Sequence, residues 1–363
     1  MVYLLTFVVS IFFYAESNKT KHRYLRKILW CTSIMIPVLL AAFRGMDIGT
    51  DIKIYVEPTY RIAVGSPSFI DLINNSFATE ILFNLLVYIS AKVFGSIQFL
   101  LGAIQIIILL PIYIAIDRRV EKNSRVLVLF SYYLIFYGYG YNLMRQFMAI
   151  SLFVLAFSYC VDRKKVATIV FLLLAIGFHN SAILAILLTL IYIMINKYEQ
   201  KWLTYICALG IVLVTIGYQQ LMGLAISVFP QFLGKYLGYM SQKWNNWPIA
   251  DLILYFLILL IGIKQLQENE SDKRYCGLMT ICSFAGVVIA SKMPTASRAM
   301  LYCNIFSIFD FSYMKYIFKK DRENQNMVTG IIVVILIVYW YVQYIYLKNN
   351  AIYPYEFVKL GVR

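Results

Sequence analysis

The chain has 363 residues, of which 61% are hydrophobic and only 14% charged, against roughly a quarter charged in ordinary soluble domains. That composition excludes an assembly of soluble domains. The net charge of +15 does not point to nucleic acid either, because the basic residues sit in short breaks between apolar runs, where they set topology and meet anionic headgroups.

A bilayer core of about 30 Å takes about 17–25 apolar residues per helix, and runs of that size recur along the whole chain. Six breaks are basic: Lys19 to Lys27, Arg118 to Arg125, Arg163 to Lys165, Lys197 to Lys201, Lys264 to Arg274 and Lys319 to Arg322. Placing them in the cytoplasm puts spans near 2–15, 28–43, 97–116, 126–141, 143–161, 166–178, 180–195, 202–218, 249–265, 275–291, 299–318 and 327–347. The expectation is an all-α polytopic integral membrane protein of about 12 transmembrane helices. It forms a single transmembrane domain over 1–363 with both termini outside. The first run lacks a basic leader and a small-residue cleavage site, so it reads as a retained span.

After the second span comes a long extracytoplasmic loop at about 44–96. It opens with Phe43-Arg44-Gly45-Met46-Asp47-Ile48-Gly49-Thr50-Asp51, followed by Tyr55. Two glycines permit tight turns, and two carboxylates four residues apart beside an arginine can divide acid–base and orienting work. The plainer reading is a solvated loop whose Arg44 reaches the headgroups. Later in the loop, residues 77–94 (FATEILFNLLVYISAKVF) are apolar enough to span, yet a further crossing would put a basic break on the wrong side. They read as an amphipathic or re-entrant outer-side helix. Ile81, Leu82, Leu85, Leu86, Ile89 and Val93 share one face, and Glu80, Asn84 and Lys92 interrupt the rest.

A Tyr-Gly-Tyr-Gly-Tyr turn then leads to Asn142-Leu143-Met144-Arg145-Gln146, which opens the 143–161 span. An arginine at the membrane boundary is costly without a partner. It holds an anion such as a phosphate or diphosphate, pairs with a carboxylate of a neighbouring helix, or simply snorkels to the headgroups. The next two spans are short with basic flanks, which favours a hairpin whose turn, Gly177-Phe178-His179-Asn180-Ser181, lines a recess. His179 there can act as a base or bind a sugar hydroxyl, or can be a satisfied structural residue. It has no second histidine or cysteine at metal-ligand spacing, so no metal is expected. A second extracytoplasmic segment covers about 219–248. Arg298, after Ser291-Lys292-Met293-Pro294 and ahead of Tyr302, is a third outer-side arginine after Arg44 and Arg145, and three together favour an anion site. The six cysteines (Cys31, Cys160, Cys207, Cys276, Cys282, Cys303) lie in or beside apolar runs without a Cys-x-x-Cys pair and read as small packing residues.

In these residues the chain resembles the EpsG/Wzy-type polysaccharide polymerases, which build O-antigen, capsule or exopolysaccharide from repeat units. The resemblance rests on Arg44-Gly45 with Gly49-Thr50-Asp51 and Tyr55, on Asn142 with Arg145-Gln146 and Ala149, and on Phe178-His179-Asn180-Ser181. Arg298 and the tail residues Pro354-Tyr355 fit as well. It implies a glycosyl transfer at the outer face of a bacterial cytoplasmic membrane, with undecaprenyl-diphosphate-linked oligosaccharides as donor and acceptor. A chain-length regulator protein is a further candidate partner, and neither a cofactor nor nucleic acid is involved. Arg145 and Arg298 would hold diphosphate with Arg44 assisting, and Asp47, Asp51 or His179 would be the base. Gln146, Asn180 and Tyr302 complete the expected binding residues. A lipid-linked oligosaccharide flippase and an O-antigen-ligase-like transferase are the competing readings; a flippase would place charges in a cavity open to both sides, often between related halves.

Overall fold

A computed structural model describes residues 1–198, 200–228, 248–291, 294–317 and 322–358. Over them the chain is helical, with no strand beyond one isolated bridge between Arg44 and Phe357. It forms two compact units, Met1–Ala185 with Phe318–Arg363, and Ile186–Ile317.

The first unit begins with α1 (Val2–Lys19) and α2 (Arg23–Ala42). A π-helical turn, Ile52–Val56, leads into α3 (Glu57–Gly65), α4 (Phe69–Asn75) and α5 (Ile81–Ile89), which ends in a second π turn, Ser90–Phe94. Then follow α6 (Ile97–Arg119), α7 (Lys122–Ile135), the short α8 (Tyr139–Asn142), α9 (Met144–Val161) and α10 (Lys165–Phe178). A 3-10 turn at Asn180–Ala182 starts α11 (Ile183–Tyr198), in which the chain leaves the first unit at Ala185, partway through the expected hairpin. The second unit continues with α12 (Lys201–Ile216), α13 (Tyr218–Val228), α14 (Ile249–Gln265), α15 (Ser271–Ala290), α16 (Pro294–Asn304) and α17 (Ser307–Ile317). Finally α18 (Arg322–Trp340), extended by the π turn Tyr341–Tyr346, returns to the first unit.

Helices occupy each expected span, but not all are long enough to cross alone. Among the described residues six are both long and apolar enough: Arg23–Ala42, Ile97–Arg119, Met144–Val161, Asn180–Tyr198, Ser271–Ala290 and Glu323–Tyr346. The expected span 299–318 is broken at Ile305 and Phe306 into α16 and α17. Each has 11 residues, a rise of only about 16 Å. The second expected extracytoplasmic segment is helical as far as Val228, and 229–247 lies outside the described residues.

The packing is that of a protein with an apolar solvent. On α18 and the π turn that extends it the exposed residues include Met327, Ile331, Val334, Val338 and Tyr341, an apolar stripe at helical spacing turned outward; α12 and α14 repeat the pattern. The opposite holds for α9, which packs between α6 and α10 and is buried at every position from Met144 to Ser158 except Arg145.

Over 77–94 the apolar face is the outward one. Ile81, Leu85, Ile89 and Val93 are exposed, while Phe83, Asn84 and Val87 point into the protein. Glu80 and Asn84 are buried polar groups away from that face, whereas Lys92 is exposed. Asn84 donates to the Ala78 carbonyl at 2.8 Å and accepts from Ser76 Oγ at 2.7 Å. This ties down the turn ahead of α5 and so fixes Glu80 at its N-terminus.

In the second unit α14 and α15 approach to backbone contact. A Cβ on Gly277 would stand 2.5 Å from the Gly262 carbonyl oxygen, so only a glycine lets the helices meet there. Close by, the Thr280 hydroxyl donates to the fully buried carboxyl of Asp310 on α17 at 2.6 Å.

Candidate functional site

The loop that carries Arg44 is held by the far end of the chain. Gly45 N donates to the Glu356 carbonyl at 2.7 Å, Val358 N to the Phe43 carbonyl at 2.8 Å, and Gly49 N to the Ala351 carbonyl at 3.0 Å. The Tyr355 hydroxyl adds a bond to the Leu40 carbonyl at 2.8 Å. On the other side Gly49 lies against α8. Its φ of +85° is glycine territory, and any side chain there would collide with the Tyr141 carbonyl.

Two polar contacts then link this loop to the start of α9. Asn142 Oδ1 accepts from Thr50 N at 2.6 Å and from Thr50 Oγ1 at 2.9 Å. Asp51 Oδ2 accepts from Met144 N at 2.9 Å, placing a carboxylate on an unpaired donor at a helix N-terminus, where it also meets the helix dipole favourably. The residue after Met144 is Arg145. Asp51 thus sets the starting point of the helix that presents the arginine.

Arg44 is enclosed in the same scaffold, 2% exposed. Its Nη1 donates to the Ala41 carbonyl at 2.9 Å, its Nη2 lies 3.7 Å from Met144 Sδ, and the guanidinium sits 3.9 Å over the Tyr141 ring. It braces the loop against α8 and α9 and does not open to a ligand. Asp47, by contrast, is exposed and paired with Lys53, whose ammonium it stabilises so that the lysine pKa rises. Gln146 is buried inside α9.

The accessible chemistry collects around a residue that the sequence reading passed over. Glu80 is 5% exposed, yet its Oε2 accepts from Arg145 Nη1 at 2.6 Å and its Oε1 lies 3.3 Å from His179 Nδ1. The arginine is flanked by aromatic faces, with Tyr55 at 4.0 Å and Phe83 at 5.7 Å. These geometries desolvate the guanidinium without burying it, since its side chain stays 13% exposed and that of His179 28%. Arg145 Nε is buried without a hydrogen-bond partner, so the guanidinium is not saturated by protein acceptors. Next to His179, the Asn180 amide donates to Thr79 Oγ1 at 3.2 Å, stitching the turn after α10 to the turn before α5. The close approach of those two elements depends on Gly177: a Cβ there would stand 2.5 Å from Leu82 Cδ1.

Burial pushes the Glu80 pKa up, but His179 and the charge of Arg145 beside it outweigh that and bring the value down to about 2. Glu80 is therefore a fixed negative charge and a poor proton acceptor near neutrality. Its carboxylate instead orients His179: with Nδ1 turned to Glu80, Nε2 is the ring nitrogen left to face a ligand. The group combines a partly exposed cation, an oriented imidazole and an aromatic wall.

The structure thus draws Arg145, His179 and Asn180 together, and gives Arg44, Asp51 and Asn142 the work of positioning α9. Arg298 and Tyr302 lie in the second unit on α16, the first exposed and the second buried. Glu80 did carry one readable signal, being the only acid between Asp71 and Asp117 and standing at the start of an apolar run. Its pairing with Arg145 matches the carboxylate partner weighed for that arginine, across 65 residues of sequence. Among the described residues no three His, Cys, Asp or Glu side chains gather at metal-binding separation.

A family model described as the EpsG family matches residues 27–357. No curated protein and no solved structure matches the chain.

Proposed function

The chain belongs to the EpsG family of polysaccharide polymerases, and on that premise we propose that it joins lipid-diphosphate-linked oligosaccharide repeat units into a surface polysaccharide. The donor is a glycan on undecaprenyl diphosphate, and the acceptor is a repeat unit on the same type of carrier. The reaction takes place at the outer face of the bacterial cytoplasmic membrane. The observation that carries this reading is the cluster in which Glu80 holds both Arg145 and His179 while those two remain partly open.

In the proposed transfer, His179 Nε2 takes the proton of an acceptor hydroxyl. The oxygen forms a bond to the anomeric carbon of the donor, and the bond from that carbon to the diphosphate breaks. Arg145 holds the departing diphosphate through its remaining N–H groups, and stabilising charge that develops on a leaving group is the kind of task that contributes most to such a step. Glu80 fixes the tautomer and direction of the imidazole and stabilises its positive charge once formed. Tyr55 provides an aromatic wall for arginine and sugar alike. A diphosphate whose charge is held leaves without further activation, so the step is proposed as metal-independent.

The test is a gel of glycans from a deletion strain with wild type, Arg145→Ala or His179→Ala restored. Collapse of a ladder to a single-repeat band, restored by wild type and by neither variant, supports the reading. A ladder that survives deletion sinks it, and so does loss of single repeat units from the outer face, which is the mark of a flippase. A ladder restored by both variants leaves a polymerase with its site elsewhere.

A further inference from the structure

Two cysteines that share no sequence motif meet in the second unit. Cys282 lies on α15 and Cys303 on α16, and their Sγ atoms are 3.3 Å apart. Met300 Sδ stands 3.9 Å from Cys282 Sγ, so three sulfurs gather between the two helices. The close approach has a local cause. Gly286 leaves room for Met300, whose Cβ lies 2.7 Å from where a Cβ on that glycine would stand, so α15 and α16 pack with little between their backbones. Cys303 is 4% exposed and Cys282 half-buried. The remaining four cysteines are distributed over α2, α9, α12 and the first turns of α15.

A disulfide needs its sulfurs at about 2.0 Å, so closure asks for roughly 1.3 Å of sulfur travel, within reach of small side-chain rotations and no helix movement. We propose that Cys282 and Cys303 form a reversible disulfide that ties α15 to α16. The step is thiol–disulfide exchange with a small disulfide oxidant. One cysteine thiolate attacks a sulfur of the oxidant and expels its first thiolate. The second cysteine thiolate then attacks the mixed disulfide and expels the other. The protein gains one S–S bond, the oxidant is reduced to two thiols, and the two cysteine protons pass to the departing thiolates. Because the pair lies among apolar side chains, an uncharged oxidant that partitions into membranes is the effective one. The bond would fix the rotation of α16, the helix that carries Arg298 and Tyr302, against α15. This inference does not depend on the glycosyl-transfer reading.

The experiment treats membranes containing the full chain with 2,2′-dithiodipyridine, then unfolds the protein, alkylates it with N-ethylmaleimide and maps the peptides by mass. The expected result is a cross-linked pair of peptides containing Cys282 and Cys303, absent after treatment with dithiothreitol. In Cys282→Ser or Cys303→Ser the remaining partner should end as a mixed pyridyl disulfide and not as a cross-link. Separate pyridyl adducts on both cysteines of the wild-type chain overturn the proposal. A cross-link from either one to a different cysteine does so too, as does failure of both to react.

Discussion

Two buried carboxyls, one in each unit, show what separates a site from a packing feature. Glu80 and Asp310 are 5% and 0% exposed, and each accepts a bond of 2.6 Å. Glu80 takes its bond from an arginine and lies beside a histidine, and both partners reach the surface. Asp310 takes its bond from the Thr280 hydroxyl, and no cation among the described residues pairs with it. An ionised carboxylate in an apolar interior costs far more than a neutral one unless cations answer it. Glu80 thus works through its charge, whereas Asp310 needs only its shape and its hydrogen bonds.

The largest expected effect breaks the comparison at its charged end. Glu80→Gln keeps the size of the side chain and removes the charge, so Arg145 loses its anchor and His179 its orienting partner. Repeat-unit polymerisation by purified protein in lipid should fall by about two orders of magnitude, the scale on which an oriented base contributes. In the proposed mechanism Glu80 and His179 act as one unit, so the Glu80→Gln, His179→Ala double variant should be no worse than His179→Ala alone within about threefold. Purely additive losses would mean that the two residues work separately.

A second test uses acid. The folded pKa of Glu80 lies at about 2, below the usual 4.5, so the stability it contributes is fully present above pH 4.5 and is lost as pH falls through about 2. The unfolding temperature of wild type should exceed that of Glu80→Gln by a few degrees at pH 8. The gap should narrow only below pH 4.5. Its size corresponds to roughly 1–2 kcal/mol once screening by nearby water is allowed for. A gap that does not narrow below pH 4.5 would contradict the ion-pair assignment.

Much of this was readable from residue order. Charge breaks and apolar length located the helices, because bilayer thickness constrains each segment separately. Arg145 and His179 stood out because an isolated polar group in an apolar run must be answered by something. What remained hidden was which group answers it. Nothing local tells that Glu80 faces inward, since an exposed apolar stripe and a buried polar face produce the same periodicity in a membrane protein as the reverse does in a soluble one. Asp51 and Asp47 look alike in sequence, yet one caps α9 and the other is exposed beside Lys53, a difference made by the fold of the loop against residues about 90 positions away. The break between α16 and α17 was equally silent, because Ile305 and Phe306 continue an apolar run.

A smaller perturbation sharpens the comparison by moving the site without touching its chemistry. In Gly177→Ala the new methyl would meet Leu82 Cδ1 at 2.5 Å and Cγ at 2.6 Å, so α10 and α5 must separate or Leu82 must turn. Either response shifts His179 relative to Glu80 at a cost of about 1–2 kcal/mol. Polymerisation should fall several-fold, and Leu82→Ala in the same chain should recover part of the loss by making room. Failure of that rescue would show that the helix contact does not position the histidine.

The smallest effect is expected at Asp310. In Asp310→Asn the amide oxygen can accept from Thr280 as the carboxyl does, and the volume is nearly unchanged. Stability should therefore shift by no more than about 0.5 kcal/mol and polymerisation by less than twofold, because neutral partners of the same shape can replace one another at little cost. Asp310→Ala differs: the Thr280 hydroxyl keeps the Cys276 carbonyl at 3.0 Å as an acceptor, but a cavity is left where the carboxyl stood, for a loss of about 1–3 kcal/mol. Unfolding midpoints of the two variants in one detergent separate these cases. A silent asparagine with a damaging alanine identifies Asp310 as a hydrogen-bonded packing group. An asparagine as inactive as Glu80→Gln would mean that the charge itself is required in the second unit, and the two buried carboxyls would then have to be treated alike.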